Sequence, residues 1–245
     1  MSDQLSFIWN QLPNLLWGFP NQRPGGLLLS ILLSAGAIGV GLVLALTLGF
    51  GTHSQSRLVR VVSSRFIWLV RGIPLIVLLV LLFQFLGTGG LFGIRFSAFW
   101  TAAVTLVMYS AAYQADIISG GIAAVPQQLR DDARVLGAGP LTVARTITIP
   151  HCLRSMRFAL VTQAITIFKD SSVVVVLGVA DLTTNARIAL GGDVTRAPFW
   201  VATYLAVGLL YWIVAFSLGH LARRNAPSTT THASPARREK VGAHA

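Results

Sequence analysis

Gln163, Lys169, Asp170 and Ser171 stand inside an otherwise apolar run, Phe158 to Ala180, which reads FALVTQAITIFKDSSVVVVLGVA. Charge within such a run is costly and usually faces a partner or a water-filled cavity. Lys169 and Asp170 are adjacent, so on a helix they point in different directions and need not pair with each other. Gln163 precedes Asp170 by two helical turns and shares its face. Together these side chains offer both signs of charge and an amide, which suits the binding and passage of a small polar solute. They are candidates to border a solute path or to control its gate. A buried polar clamp between helices is the alternative at this level. Arg71 and Asp116 also interrupt apolar runs. Each lies near the cytoplasmic end of its run, where a long basic side chain snorkels to the interface and an acid serves structure.

Other chemistries find no constellation in the sequence. His53, His151, His220, His232 and His244 fall in loops, at a run end or in the tail, and none makes an i, i+4 metal-type pair. No Gly-x-Ser-x-Gly elbow supplies a nucleophile. Cys152 is the single cysteine, which excludes an internal disulfide and a cysteine-based metal site. No Gly-x-x-x-x-Gly-Lys-Ser/Thr loop is present to cradle a nucleotide phosphate. The sequence therefore implies neither an enzyme nor a resident metal. An ion-coupled transporter acting alone is the other class to weigh; it is disfavoured by few intramembrane acids and by the lack of the internal repeats that mark many such proteins.

The composition says what must position these residues. The 245-residue chain is 54% hydrophobic and only 11% charged, where a soluble domain carries about 25% charged residues. Its net charge of +11 lies between apolar runs rather than on one soluble face, which argues against nucleic acid. Crossing a bilayer takes roughly 20 helical residues. Gly25–Phe50, Phe66–Phe85, Phe96 to about Asp116, Phe158–Ala180 and Phe199–Leu221 each qualify. The expected fold is an all-α integral membrane protein with five transmembrane helices. Basic residues concentrate after the first, third and fifth runs, from Arg57 to Arg65, Arg130 to Arg157 and Arg223 to Lys240. The positive-inside rule then puts the N-terminus outside and the C-terminus inside. Residues 1–24 form an extracytoplasmic segment, 25–222 the transmembrane domain, and 223–245 a basic, Ser/Thr/Pro-rich tail expected to be disordered near an anionic leaflet. In the first run Ala37, Gly41, Ala45 and Gly49 align small residues on one helix face, suited to close packing within the subunit or at a subunit interface.

One cytoplasmic segment, about 126–150, is built differently. Pro126 suits a helix start, and Asp131 and Asp132 follow in the early turns, where the helix dipole favours acids. Leu129, Ala133 and Leu136 share an apolar face. Gly137, Ala138, Gly139 and Pro140 then break the helix. A second short amphipathic piece is expected from Leu141 to Ile149, stopping at Pro150. Two short helices with a sharp turn outside the bilayer serve either as a plain interfacial connector or as a docking element for a partner's groove.

The spacing of this segment resembles the cytoplasmic signature of ABC-importer permeases: Glu-Ala-Ala, three residues, Gly, nine residues, Ile-x-Leu-Pro. Asp131, Ala133, Gly137, Ile147 and Pro150 occupy its positions, with Asp131 for Glu, Asp132 for the first Ala and Ile149 for Leu. LVRGIPLIVLL (69–79), AAYQADIISGGIAAVPQQ (111–128) and FKDSSVVVVLGVADL (168–182) are similar to elements of the polar amino-acid permeases within that family. Asp116 and Ser119 stand where that pattern carries Glu and Arg. The resemblance implies the type I importer permease fold and a place in the bacterial inner membrane. It implies a second permease subunit, identical or related, two ATP-binding subunits and an extracytoplasmic solute-binding protein. ATP and Mg would be bound by the partner ATPase and not by this chain. Asp131, Ala133, Gly137, Ile147 and Pro150 would couple to that ATPase. The run VTQAITIFKDSSVVVVLGVADL (161–182) looks closer to acidic than to basic amino-acid permeases, which leans the cargo toward glutamate or aspartate.

Overall fold

The computed structural model describes residues 2–20, 24–87, 93, 95–191 and 194–224. Among these residues the chain is helical, without a strand. The helices are α1 Ser2–Trp17, α2 Gly26–Gly51, α3 Arg57–Gly72, α4 Leu75–Leu82, α5 Ala98–Ala123, α6 Gln127–Val135, α7 Pro140–Val143, α8 Ile149–Ser155, α9 Arg157–Asp170, α10 Leu182–Leu190 and α11 Trp200–Arg224. Of the tail expected to be disordered, 223–245, Arg223 and Arg224 close α11 and the rest lies outside the described residues.

The pairing of α2 with α5 organises the core. Ser30, Ser34, Ala37, Gly41, Ala45 and Gly49 form the buried stripe of α2. A methyl group added at Gly41 would stand 2.9 Å from Ser110 Oγ, and one at Gly49 would stand 2.7 Å from Ile118 Cγ2. Both spots are too tight for a side chain, so the small residues set the distance between backbones. The small-residue face is thus used for packing within the subunit. Gln114 ties the same seam, donating to Ser110 Oγ at 2.6 Å and to the Ile38 carbonyl at 3.3 Å.

The second apolar run departs from the expected continuous span Phe66–Phe85. It is a broken pair, α3 and α4 with a π turn to Gly87, bent by 107°. The cause is local. Pro74 excludes the helical region for Ile73, which sits extended at φ −106°, ψ 128°, and Pro74 itself is extended at φ −56°, ψ 138°. Two successive non-helical residues turn the chain sharply at this point. By length and apolarity, α2, Arg157–Leu177 and Arg196–Arg224 are long enough to cross a membrane, and the bent pair makes a fourth. The third run folds as α5, longer than expected at 26 residues, with Ser97 Oγ capping the Trp100 amide at 3.4 Å.

Two helices lie where the sequence suggested only connections. α1 covers one end of the bundle: Leu15 packs with Leu182, Ala186 and Val207, and Phe7 stacks on Phe199 at 4.6 Å. α10 is started by Asp181, whose carboxylate accepts from the Thr184 amide at 2.8 Å and from Tyr211 Oη at 3.2 Å. The Gly26 amide donates to the Ala180 carbonyl at 2.8 Å, which pins α10 to the start of α2.

Candidate functional site

The 126–150 segment begins where α5 ends. Pro126 occupies the cap position of α6, and Arg130 Nη2 reaches back to the Val125 carbonyl at 2.7 Å. That bond fastens α6 to the end of α5. Asp131 Oδ1 accepts from Arg134 Nη1 at 3.2 Å, an exposed pair of small energetic weight. α6 then stops in a Schellman turn. The Gly137 amide donates to the Arg134 carbonyl and the Ala138 amide to the Ala133 carbonyl, both at 2.9 Å. Gly137 holds φ +84° to allow this. A methyl group there would meet nothing within 4 Å, so backbone conformation alone selects glycine.

Pro140 opens α7 as its first residue, where a missing amide is harmless. The expected stop at Pro150 does not occur. α7 widens into a π turn over Ala144–Thr148 and continues as α8 through Pro150 to Ser155. A π turn spaces the backbone for i→i+5 bonding and so relieves the clash between a proline ring and the preceding turn. α8 packs back on α5: Cys152 Sγ donates to the Ile118 carbonyl at 3.4 Å. Gly121 permits this approach, since a methyl group there would come 2.8 Å from Met156 Cγ. Ile147 is half-buried and Pro150 exposed. The segment is thus fastened to the end of α5 at both of its ends.

Its tip is apolar and open. Val135 and Leu136 are 86% and 88% exposed, the highest values among the exposed large hydrophobic residues, and Leu129 and Leu141 are also exposed. The sequence pointed to Leu129, Ala133 and Leu136; Val135 escaped it because it lies off that face. Exposed apolar side chains thus stand beside the Asp131–Arg134 pair at the end of α6.

The membrane residues form a separate cluster. Lys169 is exposed and Gln163 and Asp170 are half-buried. The Gln163 Nε2 atom is buried without a hydrogen-bond partner among the described residues. Asp170 closes α9, and Ser171 starts a 3₁₀ stretch, its hydroxyl donating to the Phe168 carbonyl at 2.8 Å. Asp170 lies within electrostatic reach of Tyr109 on α5. Tyr109 donates to Tyr113 Oη at 3.3 Å, and the Tyr113 ring lies under the Arg71 guanidinium at 5.3 Å. Arg71 is not simply snorkelling: its Nη1 pairs with Asp116 Oδ2 at 2.7 Å. Tyr109, Tyr113 and Asp116, at i, i+4 and i+7, line one face of α5 and connect the two charged regions. The sequence signal that could have found them was this spacing, masked by the aromatics passing for ordinary core.

Comparison with known proteins follows this geometry. The chain is 30% identical to the glutamate/glutamine/aspartate/asparagine transport system permease protein BztC of Rhodobacter capsulatus, covering 86% of this chain and 49% of that protein. It is 29% identical to the glutamine transport system permease protein GlnP of Escherichia coli, covering 89% of this chain and 96% of that protein. Among solved structures, an amino acid ABC transporter crystallised with histidines superposes with a TM-score of 0.69 at 29% identity, covering 81% of this chain and 90% of that one. The chain spans about half the length of two of its relatives, 54% and 49%. The family profile for binding-protein-dependent transport system inner membrane components matches residues 37–230. The chain belongs to that family.

Proposed function

We propose that this chain is the transmembrane permease subunit of an ATP-driven importer of polar amino acids. Five spans carry the chain across the membrane with the N-terminus outside and the C-terminus inside, the bent α3–α4 pair serving as the second. An extracytoplasmic binding protein delivers the solute, a second permease subunit completes the pathway, and two cytoplasmic ATPase subunits engage residues 131–150. The observation that carries this reading is the rigidly mounted helix–turn–helix with its exposed Val135 and Leu136 tip, in the signature spacing of the family. Nucleotide and magnesium belong to the ATPase. Its closure moves the docked segment, and solute biases the resulting states only through its different affinity for each. Gln163, Lys169 and Asp170 border the solute path, consistent with the unmatched Gln163 amide and the nearby Tyr109. The cargo leaning is glutamate or aspartate, supported by the similarity to a relative whose name includes both.

The test is uptake by proteoliposomes holding the permease, its cognate ATPase and binding protein. Uptake of labelled glutamate that needs ATP inside supports the reading. Uptake driven by an ion gradient without ATP would replace it with a secondary transporter.

A further inference from the structure

The Arg71–Asp116 pair forms one wall of a cavity of about 260 Å³ between α2, α3 and α5. Thr52, Ser64 and Ser119 supply hydroxyls to the other walls, and Trp68 also lines the cavity. Both charged side chains keep an open face, with 39% of Arg71 and 49% of Asp116 exposed. The pair therefore does not seal itself between helices. Tyr113 beneath the guanidinium fixes its plane. Thr52 Oγ1 and Ser119 Oγ lie 2.9 Å apart, so two of the hydroxyls are held in place. Ser119 stands where the resembling pattern carries Arg, so a long basic side chain is replaced here by open, polar space.

We propose that this cavity binds a free α-amino acid as its zwitterion, the carboxylate on Arg71 and the ammonium on Asp116. A ligand of one charge would draw off one partner and leave the other without its counter-charge, an unfavourable exchange even for side chains that stay partly exposed. A zwitterion satisfies both at once. The volume suits an amino acid rather than a drug-sized ligand, for which pockets begin at about 300 Å³. Thr52 caps the end of α2, and Ser119 lies in the last turns of α5, beside the docking segment. The site faces the cytoplasm, a placement that rests on the orientation proposed above. It is distinct from the Gln163–Ser171 region. Tyr109 and Tyr113 lie between them on α5. A phosphatidylethanolamine headgroup carries the same two charges, and the experiment separates the two sources.

The permease–ATPase complex, without binding protein, is placed in nanodiscs of phosphatidylcholine alone, and binding of labelled L-glutamate and L-glutamine is measured. Both are expected to bind, with N-acetyl-L-glutamine and the α-amide of glutamine about tenfold or more weaker, each having lost one charge contact worth about 1.4 kcal/mol or more. Ser119→Arg fills the cavity and preserves the ion pair; it is expected to abolish binding while the complex still co-purifies with its ATPase. Arg71→Gln is expected to weaken binding to the same degree as removal of the ligand's carboxylate charge. Added phosphatidylethanolamine is expected to leave binding unchanged. Equal binding of the N-acetyl compound, undiminished binding by Ser119→Arg, or displacement by phosphatidylethanolamine would overturn the site. ATP-driven uptake in parallel proteoliposomes distinguishes the two failures: uptake without this binding refutes the cavity alone, and absence of ATP-driven uptake refutes the permease reading.

Discussion

The amide of Ala138 donates to the carbonyl of Ala133 at 2.9 Å, across a glycine held at φ +84°. Because the space around Gly137 is open, substitutions there test backbone strain and nothing else. A left-handed conformation costs an ordinary residue about 1–2 kcal/mol, and Asn less. Solute-stimulated ATPase activity is expected to fall in the order Gly137, Gly137→Asn, Gly137→Ala, Gly137→Val, with insertion into the membrane unchanged. Equal coupling in Gly137→Val and the parent would remove the turn from the mechanism.

The seam between α2 and α5 makes a contrasting prediction about stability. At Gly49 a side chain would strike Ile118, whereas at Gly39 it would meet nothing within 4 Å. Gly49→Val is expected to cost about 1–3 kcal/mol through overpacking, read as a lowered melting temperature of the detergent-solubilised protein. Gly39→Val is expected to melt with the parent.

Ser171 and its neighbours separate structure from transport. The Ser171 hydroxyl is engaged by the Phe168 carbonyl, so Ser171→Ala is expected to cost about 1 kcal/mol of stability and to leave solute affinity unchanged. Lys169→Met and Asp170→Asn are expected to slow uptake about tenfold, a change of about 1.4 kcal/mol in the barrier, without a matching loss of melting temperature. Unchanged uptake in both would make them a polar clamp rather than part of the solute path.

Cys152 reports on the joint between α8 and α5. Its thiol is buried, and burial pushes its pKa above the ordinary thiol value. Maleimide attacks the thiolate, so labelling at neutral pH is expected to be slow and to rise only at more alkaline pH than for an exposed thiol. The folded chain holds this proton to higher pH than the unfolded chain, so stability is lost as pH climbs from the ordinary thiol value toward the raised value of the folded state. Rapid labelling at pH 7 in the resting protein would show that α8 does not stay seated.

The sequence carried some of this further than the rest, for physical reasons. α2 matched its apolar run within a residue or so, because a long stretch bounded by Gly25 and Gly51 leaves few choices. Gly137 was legible because glycine before Gly139-Pro140 has one common use. The path through Pro150 was not, because a π turn depends on how Val143, Thr148 and Cys152 pack rather than on any local propensity. Pro74 is a residue that disrupts a helix, but nothing local sets the 107° bend that accompanies it. The Arg71–Asp116 pair was hidden because nothing in one sequence says that the second and third runs meet there. α1 and α10 were missed because each is held by helices distant in the chain, α1 by α10 and α11 and α10 by α1 and α2.

Leu136 gives the most direct test of the docking claim. It is 88% exposed, so Leu136→Asp removes apolar contact for a partner without disturbing the permease's own packing. The permease carrying Leu136→Asp is co-expressed with its ATPase and purified from the membrane, and the recovered ATPase is measured beside ATP-driven uptake. The expected result is normal insertion with recovery of the ATPase and uptake both reduced about tenfold, equivalent to about 1.4 kcal/mol of lost association. Full recovery of the ATPase with undiminished uptake would contradict docking through this segment.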